Sequence, residues 1–313
     1  MSTHELRRGG GPGRVPMKKT RLGFVGLGNM GGNMAARLLA AGYPVYGEER
    51  NREHAEGLVH DGLHWCDTPR EVAERAEIVI TSVPDDGVLA LVASGPDGIL
   101  AGLDAPKIWL EMSTVSPRAS RELAERVTAR GATMLDAPVS GSVPQVKAGT
   151  LTIMVGGDAQ AYARVEPILR ELGNPTHIGE NGQGLMLKLA INISLAVQML
   201  AFSEGLLLAE RAGIDPELAL AVMTRSPIAS PMLQARGALA LDLPDDAWFD
   251  VDLMQKDIAL ALEAGRELRV ALPSARAADT VLAVARAFGY EHRDIAAMYE
   301  VLAQLTSDPV RSR

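Results

Sequence analysis

The sequence predicts a mostly parallel α/β sheet domain followed by an all-helical one, and three observations carry the prediction. A glycine-rich turn, Gly26-Leu27-Gly28-Asn29-Met30-Gly31, stands between a short apolar strand and a helical pattern. Strand-like runs then alternate with helix-like runs as far as about residue 178. From Gly182 onward the alternation stops and helical signals follow one another. With 313 residues there is room for two domains of ordinary size.

The elements follow in order. Arg21–Val25 reads as the first strand, and Asn33–Ala41 as a helix stopped by Gly42. Tyr43–Gly47 is the second strand. Thr68-Pro69 is an N-cap with proline at the first helical position, opening a helix to Arg75. Ile78–Val83 and Lys107–Met112 are buried strands, and Ser116-Pro117 opens a helix through Ala129. Thr133–Ala137 and Gly149–Gly157 are further strands. Asp158 caps a helix to Leu172, and Thr176–Ile178 is a last short strand. Helices are expected over about 185–212, 215–225, 250–267, 273–288 and 294–305. This divides the chain into a leader (1–16), a Rossmann-type domain (17–181) and a helical substrate and dimerisation domain (182–313), joined by the long helix. The leader reads as disordered, with Met17 a plausible true start.

Composition removes several classes. A net charge of −8 argues against a nucleic-acid binder, since phosphate contacts need a basic surface. One cysteine, Cys66, excludes a disulfide framework and a cysteine zinc site, and fits a cytoplasmic protein. The six histidines are scattered and form no metal cluster. Leu185–Leu208 is long enough to span a bilayer. It carries Lys188, Asn192, Gln198, Ser203 and Glu204, so a soluble helix buried among others explains it better.

The glycine turn has the context that makes such a motif meaningful. Gly26 permits the tight turn, Gly28 lets the backbone approach a pyrophosphate, and Gly31 lets helix and strand pack closely. Glu49 stands 18 residues past Gly31, near the spacing of an acidic residue that accepts from ribose hydroxyls. A carboxylate there favours NAD, whereas Arg50 beside it, and Arg52 more weakly, would favour NADP; the balance leans slightly to NAD. Ligands of such sheets lie at the carboxyl ends of the strands. Val83-Pro84, Ser113-Thr114 and the loop from Pro138 through Ser140, Gly141 and Ser142 therefore point to one crevice, the last offering amides and hydroxyls to a small anion.

Lys188 opens the long apolar helix and is its only basic residue before Arg211; Asn192 lies one turn on, on the same face. Gly182 and Gly184 ahead of them allow a backbone or a ligand to come close. From this stretch alone Lys188 is either a snorkelling core lysine or a working group.

Taken together, several motifs resemble those of the β-hydroxyacid dehydrogenases, which include 3-hydroxyisobutyrate dehydrogenase and tartronate semialdehyde reductase. They are Gly23–Gly31, Glu111–Pro117, Asp136–Gly141 with Gly149-Thr150-Leu151, Gly182-x-Gly184-x-x-x-Lys188-x-x-x-Asn192, and Lys256-Asp257. The resemblance runs from Leu22 to about Val301. It implies an NAD(P)-linked oxidoreductase of small 3-hydroxy acids or their semialdehydes, working as a homodimer or homotetramer. It implies Lys188 as the catalytic acid and base. Ser140, Gly141 and Ser142 would hold the substrate carboxylate, with Asn192 positioning substrate. Val83, Pro84, Thr114 and Lys256 would lie near the nicotinamide. Ser142 departs from the second glycine of many members, and Ser-Gly-Ser also occurs in relatives acting on glyoxylate or succinic semialdehyde. An imine reductase or a non-catalytic nucleotide-binding scaffold is less consistent with a lysine at 188.

Overall fold

The computed structural model describes residues 19–307; the leader discussed above lies outside them. Nine strands form one sheet: β1 (Leu22–Val25), β2 (Val45–Glu48), β3 (His64–Trp65), β4 (Ile78–Thr81), β5 (Ile108–Glu111), β6 (Thr133–Asp136), β7 (Val139–Ser140), β8 (Leu151–Gly156) and β9 (Gly173–Gly179). Their order is β3-β2-β1-β4-β5-β6-β8-β7, with β9 on β8. Pairings from β3 through β6 are parallel, and β8 turns antiparallel to β6 and β7. Period-two alternation serves both faces. Ile78, Ile80, Ile108 and Leu110 enter one apolar layer, while Val79 and Trp109 enter the other.

Among the described residues, every named element after Gly179 is a helix. The 29-residue helix Gln183–Arg211 packs against helices 216–225, 251–268, 273–287 and 298–307. It is long and apolar enough to cross a bilayer by length and composition alone. Here Met199, Phe202 and Leu206 build the core of the helical domain, whereas Leu185 at its start belongs to the core of the sheet domain. One element thus spans both cores.

The structure revises several expected elements. The first helix begins at Asn29 instead of Asn33, so Gly31 lies in its first turn. A short helix, Val143–Ala148, to which the sequence reading assigned no element, follows the 138–142 loop, with Ser142 and Gln145 forming a capping box. The last strand begins at Gly173, where a Cβ would meet the Leu151 carbonyl oxygen at 2.0 Å. A short helix, Pro231–Arg236, lies between two expected ones.

Candidate active site

A cavity of about 590 Å³ lies at the carboxyl ends of β1, β4, β5 and β6 and is closed on its far side by the helical domain. Of the sequence-derived candidates, Gly28, Asn29, Met30, Gly31, Val83, Pro84, Thr114, Ser140, Gly141, Ser142, Lys188, Asn192 and Lys256 all line it. Gly26, Leu27, Glu49 and Arg50 do not. Gly26, at φ 89°, backs onto the Ser82 carbonyl oxygen, which an added Cβ would meet at 2.4 Å. Leu27 points into the core, and its amide donates to Glu49 Oε2 at 2.7 Å, so that amide is not available to a phosphate. Glu49 therefore braces the glycine turn, while Arg50 beside it is exposed. Around Gly28 the space where a Cβ would sit is open for 4 Å, and the amino terminus of helix Asn29–Ala40 faces it. That open cradle suits the pyrophosphate of a dinucleotide.

The two glycines before Lys188 serve the protein's own backbone. Gly182 takes φ 87°, and a Cβ on Gly184 would lie 2.4 Å from the Met154 carbonyl oxygen and 2.8 Å from Asp136 Oδ2. Asp136 is buried at the end of β6 and accepts from the amides of Gly182 (2.7 Å) and Leu185 (2.9 Å). A sheet-domain carboxylate thus caps the helix that carries Lys188.

Lys188 is only 8% exposed. Its Nζ donates to Asn192 Oδ1 at 3.0 Å, and Asn192 Nδ2 donates to Asp257 Oδ2. Asp257 Oδ1 lies 3.0 Å from Lys256 Nζ. Lys256 in turn donates to the carbonyl oxygens of Pro84 (2.8 Å) and Thr114. The chain Lys188–Asn192–Asp257–Lys256 therefore runs from the buried amine to the two loops that end β4 and β5. Lys256 thereby ties the helical domain to the sheet domain.

The comparisons agree with this architecture. Residues 21–182 match the family model of the NAD binding domain of 6-phosphogluconate dehydrogenase. Residues 182–302 match that described as the NAD-binding of NADP-dependent 3-hydroxyisobutyrate dehydrogenase. A 2-(hydroxymethyl)glutarate dehydrogenase of Eubacterium barkeri is 34% identical, covering 92% of this chain and 97% of its own length. The chain belongs to the β-hydroxyacid dehydrogenase family. A 3-hydroxyisobutyrate dehydrogenase of Pseudomonas aeruginosa is 35% identical over 81% of this chain and 88% of its own. The solved Mycobacterium tuberculosis 3-hydroxyisobutyrate dehydrogenase with L-serine matches with a TM-score of 0.77 and 30% identity, covering 91% of this chain and 99% of that one.

In this NAD(P)-dependent dehydrogenase, burial sets the chemistry of Lys188. Loss of hydration lowers its pKa from 10.5 to about 8, and Lys256 pushes the same way; Asp257 opposes both. An amine titrating there can both give and take a proton near neutrality. Ser142 is placed differently from the other loop residues. Its amide and hydroxyl both donate to Gln145 Oε1, at 2.9 and 3.0 Å, so it caps a helix and has little left for an anion. That leaves the Ser140 hydroxyl, which no described hydrogen bond engages, and the exposed Gly141 backbone. Asn192, expected to hold substrate, has its oxygen and one N–H taken by Lys188 and Asp257.

Two features of the site escaped the sequence reading. Glu111 is wholly buried beneath it. Its carboxylate accepts from the Ser113 amide at 2.7 Å and from the Thr81 hydroxyl, and the Ser113 hydroxyl in turn accepts from the Val83 amide at 2.8 Å. Burial pushes the Glu111 pKa up to about 7. Arg236, the only charged residue between Arg225 and Asp242, lines the helical wall. That isolation in an otherwise uncharged stretch was the available signal.

Proposed function

We propose that the protein interconverts a small 3-hydroxy acid and its semialdehyde with Lys188 as the group that exchanges the hydroxyl proton. The observation that carries this is the buried Lys188 amine, lowered towards neutrality and aimed by Asn192 in the same cavity as the Gly28–Gly31 cradle. Bound NAD or NADP supplies a hydride acceptor or donor. The rest falls to side chains. Ser140 and Gly141 hold the substrate carboxylate. In oxidation Lys188 Nζ, neutral, takes the hydroxyl proton; in reduction its ammonium returns a proton to the carbonyl oxygen. Asn192 and Asp257 keep the amine pointed and balance its charge. Met232, Leu195 and Phe249 line the cavity and limit water there.

Glu49 supports a preference for NAD. Its carboxylate is fixed on the Leu27 amide and would repel a 2′-phosphate, while Arg50 is exposed and unbraced. Ser-Gly-Ser at 140–142 keeps glyoxylate and succinic semialdehyde among the aldehydes to test. A homodimer or homotetramer fits the exposed apolar side chains at the end of the long helix and beyond, Leu208, Leu218, Val222 and Ile228.

The direct test is Lys188→Ala. Turnover of small hydroxy acids is expected to fall by about 10²–10⁴-fold, with nucleotide affinity retained by fluorescence titration. A kcat close to wild type would sink the assignment.

A further inference from the structure

Two sheet loops build the wall of the cavity that meets Lys256, and one buried carboxylate stands behind both. Ser82, Val83 and Pro84 leave β4, and Met112, Ser113 and Thr114 leave β5; all six line the cavity. Glu111, the last residue of β5, is fully buried at their base. A carboxylate there costs free energy unless its oxygens are hydrogen-bonded.

The direction of each bond around Glu111 follows from two groups that can only donate. The Trp109 indole N–H gives its proton to the Thr81 hydroxyl at 2.9 Å, so the proton of Thr81 goes to Glu111 Oε2. The Val83 amide gives its proton to the Ser113 hydroxyl at 2.8 Å, so the proton of Ser113 also turns to Glu111. The Ser113 amide donates to Oε1 at 2.7 Å. Three protons converge on one carboxylate, which suits the ionised form, an acceptor only. A protonated Glu111 would have to displace one of them. Burial acts the other way and raises its pKa to about 7, and Asp136, its register partner on β6, adds to the rise. The same loops are tied from the opposite side, where the carbonyl oxygens of Pro84 and Thr114 accept from Lys256. Glu111 and Lys256 thus clamp one pair of loops between them.

We propose that Glu111 is a positioning residue for the nicotinamide half of the cofactor: ionised, it fixes Thr81 and, through Ser113, Val83, and so holds the two loops in the shape that receives the ring. This rests on the placement of the nicotinamide beside Val83, Pro84 and Thr114, and not on the role of Lys188. The Gly28–Gly31 cradle is built at a different strand end, after β1, so affinity for the ADP-ribose half should not follow Glu111. Loops held before the cofactor arrives lose little freedom on binding it.

Titrations with NADH and with ADP-ribose, which lacks the nicotinamide ring, read the two halves apart. The advantage of NADH over ADP-ribose is expected to fall about 10-fold in Glu111→Gln, the size of a hydrogen bond to a charged group, with ADP-ribose affinity unchanged. Ser113→Ala keeps the carboxylate and cuts the route to Val83, so it should lower the advantage in the same sense. The wild-type protein offers a test that needs no variant to fold. A carboxyl with a pKa of about 7 gains its proton below that value, so the advantage of NADH should fall as pH drops through about 7, by up to about 10-fold per pH unit. Lys188, Lys256 and Asp257 face the same loops from across the cavity, and Lys188 titrates at about 8, so Glu111→Gln must remove the step near 7 if Glu111 causes it. A step that persists in Glu111→Gln, or a loss shared equally by NADH and ADP-ribose, would overturn the proposal. Equal wild-type affinity for the two ligands would overturn the placement of the ring and the role of Glu111 with it. None of these measurements involves turnover, so the proton-exchange role of Lys188 stands or falls separately on Lys188→Ala.

Discussion

Lys188 is a costly residue whose position explains its chemistry. An ammonium whose pKa falls from 10.5 to about 8 on folding destabilises the charged form by about 3 kcal/mol. A folded-state value below the unfolded one means the penalty is fully present below about pH 8 and is relieved as pH rises towards 10.5. The same shift sets the direction of the kinetics. Oxidation needs the neutral amine, so its kcat should rise through about pH 8 and then level off. Reduction needs the ammonium, so its kcat should be level below about pH 8 and fall above it. Paired pH profiles in the two directions check this, and parallel profiles would remove Lys188 as the proton carrier. Asn192 already has two partners in the site, the Lys188 amine and the Asp257 carboxylate.

The long helix Gln183–Arg211 places that amine, and its amino terminus is fixed from outside the helix. Asp136 accepts two of its first amides, and Gly184 lets it approach β8 to within backbone contact. Only three residues separate Asp136 from Ser140, so one strand end holds both the 140–142 loop and the start of the lysine helix. Asp136→Asn is therefore expected to lower stability by about 1–2 kcal/mol, the size of a lost helix cap. It should also reduce kcat more than nucleotide affinity. Denaturant melts with kinetics on the same protein decide this, and a kcat unchanged by the substitution would confine Asp136 to a capping role.

At the scale of the molecule, the cavity exists because two cores meet along one helix and one strap. Lys256 bonds the carbonyl oxygens that end two sheet loops, so cofactor binding between the domains should stabilise the whole chain. A nucleotide present at about 100 times its Kd adds about 2.7 kcal/mol. With Glu49 braced at the end of β2, thermal melts should shift more with NAD⁺ than with NADP⁺ at equal concentration. Glu49→Ala should narrow the difference, whereas a larger NADP⁺ shift in the wild type would reverse the preference. Ile228, 87% exposed, is the side chain on which the proposed self-association can be tested. Ile228→Asp should shift sedimentation velocity towards a smaller species, and an unchanged coefficient would place the interface elsewhere.

What the sequence by itself determined are features written in local patterns. The glycine turn announces itself because only glycine takes φ 89° at Gly26 against the Ser82 carbonyl. Thr68-Pro69 and Ser116-Pro117 mark helix starts because cap and first-turn proline are adjacent residues. Lys188 and Asn192 share a face by helical spacing alone. The capping box of Ser142 and Gln145 was equally local and legible, though the glycine-rich setting reads as loop. Only the tertiary structure decided that the Leu27 amide belongs to Glu49, that Asp136 caps a helix 46 residues away, and that Asp257 backs Asn192 across 65 residues. It alone paired Arg236 with Asp294 across 58 residues in the wall of the cavity. Such contacts depend on which distant residues the packed chain brings within about 3 Å, and hydrogen-bond partners at that separation leave no periodicity in the sequence.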